Sequence, residues 1–151
     1  MQSAAETALT SAQQRDLRAL AAVMIPPSEE FAVPGADDPA IFDDLLRSLG
    51  RDRDSVLAAL ARLAAQAGGS FAGLDAAGQE SLAAAFLAGG TPDATILGRV
   101  VLQCYYRDDR VVRSLGLEPR PPFPKGHRLE QGDWSLLDPV RARPKLWRDA
   151  P

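Results

Sequence analysis

The sequence predicts an all-α fold, a bundle of five to six helices with an extended Pro-rich C-terminal arm. Two observations carry that prediction. Up to about Leu115 each apolar segment keeps the i, i+3, i+4, i+7 spacing of a helix with one buried stripe, and no segment alternates with period two between turn signals. Past Gly116 the pattern breaks, and Glu118 to Pro151 hold seven of the twelve prolines, both tryptophans and the only histidine. The chain therefore divides into a helical domain, residues 1–117, and a partner-binding arm, residues 118–151.

Each helix has a start and a stop signal. Ser11 with Gln14 fits a capping box, Leu17, Leu20, Ala21 and Met24 form the first stripe, and Pro26 and Pro27 end it. A loop follows, holding Pro34 and Gly35. Asp38 then caps a second helix with Pro39 in its first turn, Ile41, Phe42, Leu45, Leu46 and Leu49 on its face, and Gly50 at its close. The third runs from about Asp54 to Ala67 on Val56, Leu57, Leu60, Leu63 and Ala64, and Gly68 and Gly69 supply a left-handed exit. Asp75 caps the fourth, which presents Leu82, Phe86 and Leu87 and stops at Gly89 and Gly90. Thr91 and Pro92 open the fifth, whose stripe of Ile96, Leu97, Val100, Val101, Cys104 and Tyr105 is the most apolar and marks it as the central helix. Asp108 and Asp109 lead into a short sixth helix carrying Val111, Val112 and Leu115, ended by Gly116.

The arm cannot form a domain alone. Pro119, Pro121, Pro122 and Pro124 remove backbone donors and exclude helix over Arg120 to Lys125. Yet Phe123, Leu129, Trp134, Leu136, Leu137, Val140, Leu146 and Trp147 are larger apolar groups than a solvated linker carries. Either the arm folds back over the preceding residues or it lies on another protein.

Charge separates the two parts. Residues 1–117 carry ten Arg and no Lys against fifteen acids, a net of −5, and residues 118–151 carry seven basic groups against five acids, a net of +2. An acidic folded part argues against nucleic acid, which requires clustered cations over a dominant positive field. Cys104 is the only cysteine, which excludes an intrachain disulfide, and a buried thiol is the expected state. No run of eighteen apolar residues exists, so no direct membrane insertion is expected. Met1 to Ala12 lack the basic and apolar regions of an export signal, which leads us to expect a cytoplasmic protein, or a periplasmic one if the chain is a trimmed form.

The residues offer little catalytic chemistry. His127 sits in the Pro- and Gly-rich arm, away from any Ser or Cys it could activate. One Cys and one His cannot complete a tetrahedral metal set, and Glu-x-x-His is absent. The paired acids Glu29 and Glu30, Asp37 and Asp38, Asp43 and Asp44, and Asp108 and Asp109 lie at loops or first helical turns, where acids serve as caps. The glycine pairs follow helices instead of strands and read as stops, not phosphate cradles. We therefore expect no catalytic residue, no metal and no cofactor in this chain.

The residues also carry a resemblance. An opening helix runs into Met24-Ile25-Pro26, and a Pro-Gly-Ala loop follows at Pro34 to Ala36. Phe71-Ala72-Gly73-Leu74-Asp75 precedes an acid- and Gln-containing helix, and Tyr105-Tyr106-Arg107-Asp108 ends the apolar one. In this order and spacing, over about Leu17 to Gly116, the chain resembles the gluconate 2-dehydrogenase subunit 3 family. Arg120 to Gly126 and Gly132 to Val140 are similar to the tail of some members.

The resemblance implies a noncatalytic small subunit bound to a large flavoprotein of the glucose-methanol-choline (GMC) oxidoreductase type. In that family the large subunit carries FAD and oxidises a hydroxyl of a sugar, glycoside or sugar acid, the small subunit supports its folding, stability or export, and an electron-transfer subunit can complete the complex. Typical members begin with a twin-arginine signal, which is absent near the start here. The candidate interface residues are Tyr105 and Tyr106 on the bundle and Phe123, His127, Trp134, Leu137 and Trp147 on the arm. A free-standing helical binding module or chaperone, with the arm as a ligand-like peptide, is the alternative; an independent enzyme lacks a constellation of residues.

Overall fold

Thr10 starts the first helix, one residue before the expected cap. The computed structural model, which describes residues 9–127 and 130–145, has the Gln13 amide donating to Thr10 Oγ1 at 3.3 Å and the Thr10 amide donating to Gln13 Oε1 at 2.8 Å. Gln14, expected to close a box with Ser11, instead donates from Nε2 to the Leu9 carbonyl at 2.9 Å. Both residue pairs have capping-box spacing. Burial of Leu9 decides between them, because it draws the chain into the core one position before Thr10. Helix α1 then runs Ser11–Met24 and buries Asp16, Leu17, Leu20 and Ala21.

The loop after α1 is built from short-range bonds. Ser28 and Val33 exchange both amide-to-carbonyl hydrogen bonds at 3.0 Å, and the Ala36 amide reaches back to the Ile25 carbonyl at 2.9 Å. Gly35 leaves little room for a side chain: a Cβ on it would lie 2.5 Å from Asp37 Oδ1 and 3.0 Å from Pro27 Cδ, so the Asp37 side chain and the proline ring would have to shift. Helix α2 spans Pro39–Ser48, with Asp38 Oδ1 accepting from the Ala40 amide at 3.0 Å. Gly50, at φ 40°, closes α2 as expected. It opens a 3₁₀ turn, Gly50–Asp52, that leads straight into α3, Arg53–Gln66.

Gly68 at φ 74° and Gly69 at φ 134° end α3 as the sequence suggests. A 3₁₀ turn at Phe71–Gly73 inserts the Phe71 ring into the core, and Asp75 caps α4, Ala76–Ala88, through the Gly78 amide at 2.8 Å. Helix α5 spans Pro92–Tyr105. Its cap departs from expectation: Thr91 makes no side-chain cap bond, and its buried Oγ1 has no partner. Asp108 caps α6, Asp109–Ser114, through the Arg110 amide at 2.9 Å. Leu115, expected on the buried stripe with Val111, is 57% exposed, because α6 ends at Ser114 and Gly116 at φ 73° turns the chain away.

The six helices between Ser11 and Ser114 form the expected all-α bundle, and no strand occurs among the described residues. Helix α5 is the central one: Ala94, Leu97, Gly98, Val100, Val101, Cys104 and Tyr105 are buried, and it packs against α3, α2 and α4. Helix α1 packs over α4, α3 and the Phe71 turn.

The chain forms two compact units, Met1–Pro119 and Arg120–Pro151. In the second, helix is absent over Arg120 to Lys125, but the segment does not run straight. The Gly126 amide donates to the Pro122 carbonyl, Gly126 adopts φ 68°, and Arg120 Nη2 donates to the Gly126 carbonyl at 2.6 Å, closing a turn around Phe123. A 3₁₀ turn at Trp134–Leu137 and a one-turn helix α7, Asp138–Arg141, follow. Over its described residues the arm, expected to be extended from the proline count, is thus a chain of turns. Proline forbids continued helix upstream, and Asp133 and Pro139 are good helix-start residues downstream.

Candidate partner interface

On the arm, short-range bonds shape the apolar display. Asp133 Oδ1 accepts from the Ser135 amide at 3.0 Å and from Ser135 Oγ at 2.6 Å. These two donors hold the Asp133 carboxyl below its usual range. The Trp134 indole Nε1 donates to Gln131 Oε1 at 3.2 Å, and Arg141 pairs with Asp138 across the next turn at 3.2 Å. The result is a capped turn from which Trp134 (62% exposed), Leu136, Leu137 and Val140 reach solvent. Phe123 stands on the neighbouring turn at 84% exposure, and His127 is exposed two residues past the prolines' last turn. Trp147 lies outside the described residues.

On the bundle the two tyrosines separate. Tyr105 is 5% exposed and belongs to the core, which removes its ring from the candidate interface; Tyr106 is 54% exposed and remains in it. Adjacent positions on a helix point about 100° apart, so only one of the pair can follow the buried stripe. Their rings meet edge to face with centroids 5.2 Å apart.

Arg107 locks the end of α5 onto α2. It donates through Nε to Asp44 Oδ2 at 3.0 Å, through Nη2 to the same oxygen, and to Ser48 Oγ at 2.6 Å. Cys104 Sγ lies 3.6 Å from that nitrogen. Burial pushes the Cys104 thiol above its usual range, the Asp44 charge adds to this, and Arg107 opposes it only in part. A cleft of about 400 Å³ opens here between Ala40, Asp44, Arg107 and Asp109. Its charged groups are already paired, Asp44 with Arg107, Asp108 with Arg110 and Asp109 with Arg113, which makes it a structural clasp.

Sequence reasoning found the arm's aromatic groups and missed the tertiary clasps. The Arg107 clasp, and Asp16 on α1 with its donors Ser70 Oγ and the Ala72 amide at 2.9 Å each, join residues too distant in sequence for any local pattern to link. An acid on the apolar stripe, as Asp16 is beside Leu17 and Leu20, was the available signal. Among the described residues no group of three or more His, Cys, Asp or Glu side chains could hold a metal ion, and no helix is long and apolar enough to cross a membrane. Comparison with protein-family models, with curated proteins and with solved structures found no match.

Proposed function

We infer that this chain is the noncatalytic small subunit of an FAD-dependent, GMC-type dehydrogenase complex acting on a hydroxyl of a sugar, glycoside or sugar acid. Its task is to stabilise or chaperone the large flavoprotein subunit. The observation that carries the reading is the arm's exposed apolar series, Phe123, Trp134, Leu136, Leu137 and Val140, displayed from short turns that bury none of it. Such a series is costly in water and suits the core of a protein interface, where aromatic anchors enter pockets. The local bonds from Asp133, Gln131 and Arg120 lower the ordering cost of docking. The resemblance of its motifs to those of the gluconate 2-dehydrogenase subunit 3 family supports a large flavoprotein as the partner.

In this reading FAD, substrate and proton acceptor all belong to the large subunit. The test is affinity purification of the tagged full chain from its source cells. A large flavin-coloured protein should elute with it in fixed ratio, and the chain produced alone should be colourless. Elution of the chain alone as a stable monomer from cells that contain such a flavoprotein would overturn the reading.

A further inference from the structure

The polar face of α1 holds two arginines that the arm's role leaves unused. Arg15 and Arg18 stand one turn apart, and no Asp or Glu lies three or four positions from either, so nothing on their own helix neutralises them. Elsewhere on the bundle Arg47, Arg62, Arg99, Arg107, Arg110 and Arg113 each hold an aspartate, while Arg51 and Arg53 hold none among the described residues. Arg15 and Arg18 hold none among the described residues.

Arg18 is nonetheless fixed in place. Its Nε donates to the Asp37 backbone carbonyl at 3.1 Å, and its guanidinium carbon lies 5.6 Å from the centroid of the Phe42 ring. The terminal nitrogens have no acceptor among the described residues. Two hollows are both lined by this arginine pair. One, of about 450 Å³, is backed by Phe42; the other, of about 300 Å³, is walled by Ala19, Ala22 and Ala72. Asp37 is the acidic residue of that lining, while the Asp16 carboxylate beneath is taken up by Ser70 and Ala72.

A cationic edge above small apolar walls matches a carboxylate that neighbours an aliphatic side chain. A polyphosphate or nucleic acid, which has no aliphatic side chain beside its anionic group, would find no use for the alanine walls. We propose that Arg15 and Arg18 form a seat for an acidic peptide segment of a protein partner, with a Glu or Asp carboxylate across the two guanidiniums and the adjoining aliphatic side chain in the alanine-walled hollow. Planar guanidiniums favour this two-pronged contact over a point charge. The seat belongs to the bundle and stands whether or not the arm binds a flavoprotein.

The test is a titration of the isotope-labelled full chain with a blocked Leu-Glu-Leu-Glu-Leu peptide, followed through backbone amide shifts, beside its Leu-Gln-Leu-Gln-Leu counterpart and inorganic phosphate. The glutamate peptide should saturably shift the amides of Arg15, Arg18, Ala22 and Ala72, and the glutamine peptide should bind at least about tenfold more weakly. Arg15→Gln and Arg18→Gln should each weaken the glutamate peptide several-fold with the remaining spectrum unchanged, and Arg51→Gln, on a separate turn, should not. Equal binding of the two peptides, no shifts at these residues, or phosphate saturating the same amides as tightly as the glutamate peptide would each overturn the proposal.

Discussion

Arg110 and Asp38, 72 positions apart, meet in a two-pronged ion pair, Nη2 to Oδ1 at 2.7 Å and Nη1 to Oδ2 at 3.2 Å. The same guanidinium holds Asp108 through Nε at 2.9 Å and Nη2 at 3.0 Å. Asp38 caps α2 and Asp108 caps α6, so one arginine ties together the starts of two helices. Its hydrogen bonds hold both carboxyls below the usual aspartate range, and the cap amides add to this.

A depressed carboxyl pKa stabilises the fold above the unfolded value, about 3.9, and that contribution fades as pH falls through the folded value. Arg110→Ala should therefore cost about 1 kcal/mol near neutral pH, since the pair is partly exposed, and the cost should shrink below about pH 4. Urea midpoints of both proteins across this range measure it. A deficit that stays constant into acid would show that Arg110 acts through packing instead.

The buried Asp16 carboxylate joins α1 to the loop before α4. Asp16→Ala strands the Ser70 hydroxyl and the Ala72 amide, at a cost of roughly 1–3 kcal/mol for each donor left unpaired. Asp16→Asn keeps an acceptor and should recover part of that stability. Urea unfolding of the two variants decides the point, and identical midpoints would mean that side-chain volume, not the acceptor, is what matters.

Phe71 and Phe123 make the same substitution test opposite environments. Phe71 is fully buried and Phe123 is 84% exposed. Phe71→Ala should lose about 3–5 kcal/mol of stability, whereas Phe123→Ala should change the isolated chain by less than about 0.5 kcal/mol. Thermal unfolding of the two variants gives the comparison. Marked destabilisation by Phe123→Ala alone would show that the ring is already covered within the chain.

Trp134→Ala should weaken capture of the flavoprotein by about thirtyfold, the effect of losing roughly 2 kcal/mol at an interface anchor. Deletion of Arg120 to Pro151 should abolish capture while the helical circular dichroism of the bundle survives. If the truncated chain retains its partner at full yield and the complex keeps its thermal stability, the arm is no interface.

The bundle was largely legible because its signals are local. Helical periodicity, the Asp38, Asp75 and Asp108 caps, and the Gly68-Gly69 exit each involve residues within one or two turns, where backbone donors and side chains meet whatever the rest of the chain does. The apolar richness of α5 likewise foretold its central place, since the element with the widest apolar stripe has the most to bury. The arm's aromatic groups could be named from composition, and their exposure could not.

Tertiary structure decided what depends on neighbours distant in sequence. Burial of Leu9 selected Thr10 over Ser11 as the first cap, and the course of α5 placed Tyr105 inside and Tyr106 outside. The pairing of Arg110 with two caps, of Arg107 with Asp44, and of Asp16 with Ser70 follows from which helices pack together. The absence of a carboxylate partner for Arg15 and Arg18 among the described residues has the same origin. A charged side chain reads alike in sequence whether it meets an acid or open water, and only the packing of the helices brings the acid within reach.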